Sequence, residues 1–136
     1  MENSSYKTNR HSCFLLQYHL VVVTKYRHPV IQGELQAYLI EQTLRLFKLW
    51  GCDIIAINTD KDHIHIAFDT QPQIQLSKLI NNYKTVTSRL VRKNFEVQLK
   101  PYYWKPYFWS QSYFLCTVSE RSAAMIKAYI DAQGQG

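Results

Sequence analysis

CDIIAINTDKDHIHIAFD, residues 52–69, sets two apolar-rich runs around a polar centre. CDIIAIN reads as a strand, NTDKD as a turn and HIHIAFD as a second strand, so the stretch predicts a β-hairpin. Side chains alternate across a strand, which puts Ile64, Ile66 and Phe68 on one face and His63, His65, Ala67 and Asp69 on the other. The apolar trio belongs against a core, and both histidines therefore turn to the opposite face. Residues two apart on a strand have Cα atoms roughly 6.6 Å apart, so two imidazoles leaning together can converge on one divalent ion. A pair of solvated surface histidines satisfies the same pattern. A structural zinc site does not, because no cysteine pair or second histidine cluster supplies the other ligands.

Working outward, residues 14–26, FLLQYHLVVVTKY, are β-branched and aromatic and predict a first strand, which RHPV with Pro29 then breaks. Over 34–50, Leu35, Leu39, Gln42, Leu46 and Leu49 follow helical spacing, with Gln42 the polar exception, and Gly51 stands where a C-terminal cap belongs. Over 76–93, Leu76, Leu79, Ile80, Tyr83, Val86 and Leu90 make one apolar stripe. Lys78, Lys84, Arg89, Arg92 and Lys93 lie mostly off it, giving this helix a basic outer side. An aromatic, proline-containing connection, LKPYYWKPYFWSQ, leads to a fourth strand, SYFLCTVS, and ERSAAMIKAYIDAQ predicts a closing helix. The order strand, helix, strand, strand, helix, strand matches a ferredoxin-like (RRM-like) α+β sandwich with an antiparallel sheet, followed by an extra helix. One sheet face is expected under two helices and the other open.

The length of 136 residues fits a single domain over 1–136, with 1–12 expected as a flexible tail and 120–136 as the closing helix and tail. The beginning, MENSSYKTNRHS, has no apolar signal core, and the longest wholly aliphatic run, residues 20–23, is far too short to span a bilayer. A cytoplasmic protein without a membrane partner is the expectation. Cys13, Cys52 and Cys116 show no Cys-x-x-Cys spacing and read as ordinary core thiols. Sixteen Lys and Arg against ten Asp and Glu, a net charge of +6, favour an anionic partner, nucleic acid first. The four glycines form no phosphate-cradling loop, which argues against a P-loop nucleotidase.

In AYIDAQ, Tyr129 and Gln133 are four residues apart and stack on one helix face; periodicity alone allows a packing role as readily as a chemical one. With these residues in view the chain resembles a known family, the HUH single-tyrosine transposases of the IS200/IS605 insertion-sequence type. The resemblance runs from Tyr18 to Gln133 through YHLVVVTKYRHPV, DHIHIAF, LINNYKTVTSRLVRK, YFWSQSYFLCTVSE and AYIDAQ, in that order. It implies a DNA transposase in which His63, His65 and Gln133 bind the catalytic ion, Mg²⁺ or Mn²⁺, and Tyr129 is the nucleophile. It also implies single-stranded DNA hairpins at element ends as the substrate, a 5′-phosphotyrosine intermediate, and a homodimer that can exchange the tyrosine helix between subunits. Two departures are visible: DKDHIH where a proline often precedes the Asp-His, and NYKTVT where a glycine often follows the lysine. Neither touches a residue assigned chemistry.

Basic groups interleaved with aromatics suit single strands, since charge tracks the backbone and rings stack on bases. Lys78, Lys84, Arg89, Arg92 and Lys93 are the expected DNA contacts, with one or two rings from residues 102–114 stacking. The alternative is a non-catalytic single-stranded DNA or RNA hairpin-binding protein of the same fold. That reading leaves His63, His65, Tyr129 and Gln133 unexplained together.

Overall fold

The hairpin read from residues 52–69 is present. The computed structural model describes residues 7–8 and 13–133; the rest of the expected N-terminal tail, and residues 134–136 at the other end, lie outside the described residues. In chain order the elements are β1 (Lys7–Thr8), β2 (Cys13–Phe14), β3 (Gln17–Val23), α1 (Gly33–Leu49), β4 (Asp53–Asp60), β5 (His63–Asp69), α2 (Leu76–Asn94), α3 (Glu96–Leu99), β6 (Phe114–Thr117) and α4 (Ser122–Gln133). The four-stranded sheet runs β4-β5-β3-β6 with every pair antiparallel, the ferredoxin-like α+β arrangement. A small β1–β2 hairpin, unexpected from sequence, draws Lys7 and Thr8 out of the expected tail by pairing them with Phe14 and Cys13.

The β4–β5 turn is shorter than NTDKD suggests. Pairing continues to Asp60 opposite His63 and leaves only Lys61 and Asp62 at the tip. A bulge between Ile54 and Ala56 lets Ile54 and Ile57 both pack against the core while Ile55 stays exposed. That bulge is why CDIIAIN does not alternate cleanly.

Leu20, Val22, Ile64, Ile66 and Phe68 form the packed sheet face, all fully buried against Leu35, Leu39 and Phe47 of α1 and Leu79, Ile80 and Tyr83 of α2. Leu49, placed in the α1 stripe by spacing, is exposed, and Thr43 and Phe47 are buried instead. On α2 the buried row runs Tyr83, Thr87, Val91, a spacing of four that displaces Val86 and Leu90 to its margin. Two core threonines are tolerated because their hydroxyls are satisfied. Thr43 Oγ1 donates to the Leu39 carbonyl at 2.7 Å and accepts from Tyr83 at 2.7 Å, and Thr87 Oγ1 donates to the Tyr83 carbonyl and accepts from Trp109 Nε1 at 2.9 Å. The Trp109 bond fastens the long 100–113 connection to α2. Cys52 is buried and Cys116 half-buried; Cys13 is exposed, so it is not a core thiol.

Helix α1 ends as expected. Gly51 has φ +79°, and its N–H and that of Cys52 bond back to the carbonyls of Lys48 and Phe47, a Schellman closure. A Cβ there would meet Gln71 Nε2 at 3.3 Å, the atom that donates to the Gly51 carbonyl. Gly51→Ala should therefore cost about 1–2 kcal/mol. Thermal unfolding is expected to show a midpoint lower by roughly 3–8 °C; an unchanged midpoint would contradict the left-handed cap.

The second sheet face is less open than expected. Val21 and Val23 of β3 share that face with the histidines, and both are buried. Helix α4 packs against β3 and β6 on this side, with the Phe114 and Tyr129 rings 5.3 Å apart. Apolar residues on a nominally exposed face need a cover, and α4 supplies it. The start of α4 is held by the buried Ser122, whose hydroxyl donates to the Thr117 carbonyl and accepts from the Ser119 N–H. No helix among the described residues is long and apolar enough to cross a membrane.

Candidate active site

Cross-strand pairing lays the candidate residues out in rows. Phe114 of β6 pairs with Val21 of β3, and Val21 pairs with His65 of β5; one step along, Val23 pairs with His63. Directly paired residues point to one side of a sheet, so Phe114, Val21 and His65 share the face that α4 covers. Tyr129, its ring tilted against Phe114, thus sits over the β6 edge of the face that carries both histidines. The lateral separation of β6 from β5 is two strand spacings, roughly 10 Å.

Each histidine has a neighbour that sequence reasoning did not supply. Asp62 Oδ1 accepts from His63 Nδ1–H at 2.8 Å, and its other oxygen takes Arg27 Nε–H. Burial works to raise the Asp62 pKa, but the bonds and charges from His63 and Arg27 outweigh it and hold the carboxyl below its usual range. With its Nδ1 proton on Asp62, His63 presents the Nε2 lone pair, the arrangement that orients a metal-binding imidazole. His65 Nε2 lies 2.8 Å from Nδ1 of His19, a third histidine on the same face, and one ring donates to the other. Burial depresses the pKa of both, and for His65 the charges of His19 and His63 add to the effect. Burial thus favours the neutral form of both rings, and because one ring gives its N–H to the other's lone pair, a free lone pair remains on the donor ring.

Arg27 reaches Asp62 from a tight turn in which Tyr26 and Arg27 both adopt left-handed backbone, φ 58° and 57°. Two successive non-glycine residues in that region are costly and are held here by surrounding bonds. Lys25 N–H bonds to the Phe108 carbonyl, Arg27 N–H to that of Thr24, and Tyr103 donates its hydroxyl to the Lys25 carbonyl at 2.7 Å.

Tyr129 and Gln133 meet on Ser112. Ser112 Oγ donates to Gln133 Oε1 at 3.3 Å and lies 2.9 Å from the Tyr129 hydroxyl, which donates to it in the neutral state. Lys84 from α2 in turn donates to the carbonyls of Gln111, at 3.0 Å, and Ser112, and stands over the Tyr113 ring. Burial pushes the Tyr129 phenol up, and the Ser112 bond pulls it part of the way back. Ser112→Ala should raise the Tyr129 pKa further without unfolding the chain, as read by NMR titration of the ring-labelled tyrosine. An unmoved titration would show that Ser112 does not act on the phenol.

Gln133 also borders a cavity of about 230 Å³ with Val23, Arg27 and Ser110. Val23 is the register partner of His63 and Arg27 the partner of Asp62, so the cavity that Gln133 borders is walled by neighbours of His63 and Asp62. With His65 as the donor to His19, its Nδ1 lone pair joins that of His63 Nε2 and the Gln133 amide oxygen, all uncharged, a set that fits an ion held weakly until an anionic ligand adds its own oxygen. Asp60 and Asp62 also bring carboxylate oxygens within 4.8 Å of His63 and of each other. Both carboxylates have other work: Asp60 Oδ1 accepts the Lys61 N–H, and Asp62 braces Arg27 and His63.

The five basic candidates do not form one group. Arg89, Arg92 and Lys93 line one cleft with Tyr103, Trp104 and Tyr107, whereas Lys78 lies apart near the start of α2. Lys84 is turned inward onto the 111–112 backbone, and burial lowers its pKa. His19, Arg27, Asp62 and Ser112 were given no role from sequence, although all four lie in stretches that carry the family resemblance. Only the Asp immediately before the first histidine gave a local sign of its role.

The family model described as Transposase IS200 like matches residues 12–133. ISDra2 transposase TnpA of Deinococcus radiodurans is 31% identical over 127 residues, covering 93% of this chain and 90% of the relative. The transposase for insertion sequence element IS200 of Salmonella typhimurium is 27% identical, covering 93% and 82%. A crystal structure of a candidate transposase from Deinococcus radiodurans R1 superposes with a TM-score of 0.86 at 29% identity over 93% of this chain and 97% of the other. A REP-associated tyrosine transposase bound to a REP hairpin shares the fold, with a TM-score of 0.57 at 11% identity over 96% and 74%.

Proposed function

Since the chain belongs to the IS200-like transposase family, we propose that it transposes DNA by cutting and rejoining single strands beside hairpins, with Tyr129 as nucleophile and His63, His65 and Gln133 as ligands of a divalent ion. The observation that carries this reading is the common sheet face of His63, His65 and α4, with Tyr129 and Gln133 gathered on Ser112.

Tyr129 Oη forms a bond to the phosphorus of the scissile phosphodiester as the bond from phosphorus to the 3′ oxygen breaks. The tyrosine loses one proton and the 3′ oxygen gains one, leaving a 5′-phosphotyrosine and a free 3′ hydroxyl. A 3′ hydroxyl attacking the phosphotyrosine reverses the step, and the joined strand forms without a nucleotide triphosphate. Held by His63, His65 and Gln133, Mg²⁺ or Mn²⁺ would neutralise charge that builds on the phosphate. Asp62 holds His63 in its ligand tautomer, Arg27 holds Asp62, and Ser112 offers a proton to the phenoxide when it forms or leaves. Exchange of α4 between the subunits of a homodimer belongs to the same reading; it would require release of the Ser112 bonds and of the Phe114 ring contact.

The test is a strand assay on end-labelled single-stranded hairpins with randomised flanks, run with Mg²⁺, with Mn²⁺ and with chelator. Ion-dependent cut and rejoined strands are expected. Hairpin binding with no cutting under either ion would instead favour a binding protein of the same fold.

A further inference from the structure

A large basic cleft lies away from the histidine face. It has a volume of about 780 Å³ and opens between the C-terminal half of α2, α3 and the 99–107 connection. Arg89, Arg92, Lys93, Lys100 and Lys105 contribute positive charge to its walls, against the single carboxylate of Glu96. Trp104 stands in this cleft 82% exposed, with Lys105 Nζ 4.8 Å from its ring centre. An indole so exposed contributes little to folding, and five cations at one cleft repel one another unless an anion is present.

The cleft shares lining residues with a series of cavities that ends beside the proposed active site. Arg92 and Tyr107 also bound an adjoining cavity of about 320 Å³ that reaches Ser110, and Ser110 bounds the cavity containing Arg27 and Gln133. The path is aromatic as well as basic. Tyr107 meets Tyr26 edge to face at 5.9 Å, and Lys25 Nζ lies over both rings, 5.0 Å and 5.2 Å from their centres.

We propose that this cleft holds the single-stranded DNA flank of the hairpin substrate, with a base stacked on Trp104 and backbone phosphates on Arg89, Arg92 and Lys93, and that the strand passes along Tyr107 and Tyr26 to Gln133. Charge along a groove with an exposed ring at its side is the chemistry that binds a single strand without reading its sequence, since every base has a π face. The proposal rests on the transposase reading for its substrate, but its test is independent of cleavage.

Binding is measured in EDTA by fluorescence anisotropy, with blunt hairpins and with hairpins bearing single-stranded flanks of increasing length on either side. Trp104→Ala should weaken binding of flanked hairpins about 10-fold and leave blunt hairpins unaffected, and Trp104→Phe should recover most of the loss. Arg92→Ala should reduce the slope of log affinity against log salt by about 1 for flanked hairpins. Equal affinity of wild type and Trp104→Ala for flanked hairpins would overturn the proposal. So would equal weakening on blunt hairpins, which would place the stem in the cleft, or tighter binding of a matching RNA flank. Absence of cutting in the strand assay would count against the transposase mechanism and leave this binding result standing.

Discussion

Tyr129→Phe is expected to lower strand cleavage by about 1,000-fold or more while hairpin binding and the thermal midpoint stay close to wild type. The ring is retained, so the tilted contact with Phe114, at 5.3 Å, survives and α4 keeps its seat on β3 and β6. What disappears is the oxygen proposed to form the covalent intermediate. Ser112 keeps a partner in Gln133, so no buried polar group is orphaned. A large loss of activity with folding preserved therefore separates chemistry from packing. Residual cleavage within tenfold of wild type would mean that water or another side chain is the nucleophile.

The second large effect falls on the histidines. His63→Ala or His65→Ala should each reduce cleavage by about 100-fold or more, and isothermal titration with Mn²⁺ in the presence of hairpin DNA should show weakened ion binding. Asp62→Asn is a sharper probe of the geometry. It keeps the size of the side chain but removes the charge that accepts the His63 Nδ1 proton and holds Arg27. Its ion affinity should fall by about 10-fold to 100-fold, with the loss partly recovered at higher Mn²⁺. If Asp62→Asn bound the ion as tightly as wild type, the tautomer argument would be wrong.

The hairpin and the two long helices were legible in the sequence because their signals are periodic. Ile64, Ile66 and Phe68 alternate, and Leu79, Ile80 and Tyr83 repeat at helical spacing, and each set is fully buried. Periodicity was less informative where a hydroxyl could be satisfied internally: Thr43 and Thr87 are buried through bonds to carbonyls one turn back, to Tyr83 and to Trp109. The cover that α4 gives the second sheet face was foreshadowed by the unbroken run Val21, Val22, Val23, since a strand apolar on both faces is buried on both. His63 and His65 announced themselves by spacing. Their supports did not, because His19, Arg27 and Ser112 come from distant segments that only the strand register and the 100–113 connection bring together. Lys84 shows the limit of charge counting, for its ammonium is spent on the backbone beside Ser112.

The account stands or falls on which atom becomes linked to DNA. The chain has ten tyrosines, several of them in aromatic clusters near the proposed strand path, so a protein–DNA adduct alone does not identify the nucleophile. The decisive measurement is mass spectrometry of the protease-digested adduct formed with a hairpin substrate and Mn²⁺. The account predicts one modified peptide, containing AYIDAQ, with the nucleotide 5′-phosphate on Tyr129. A 5′-phosphate on any other residue, or cut DNA with no linked peptide, would contradict it.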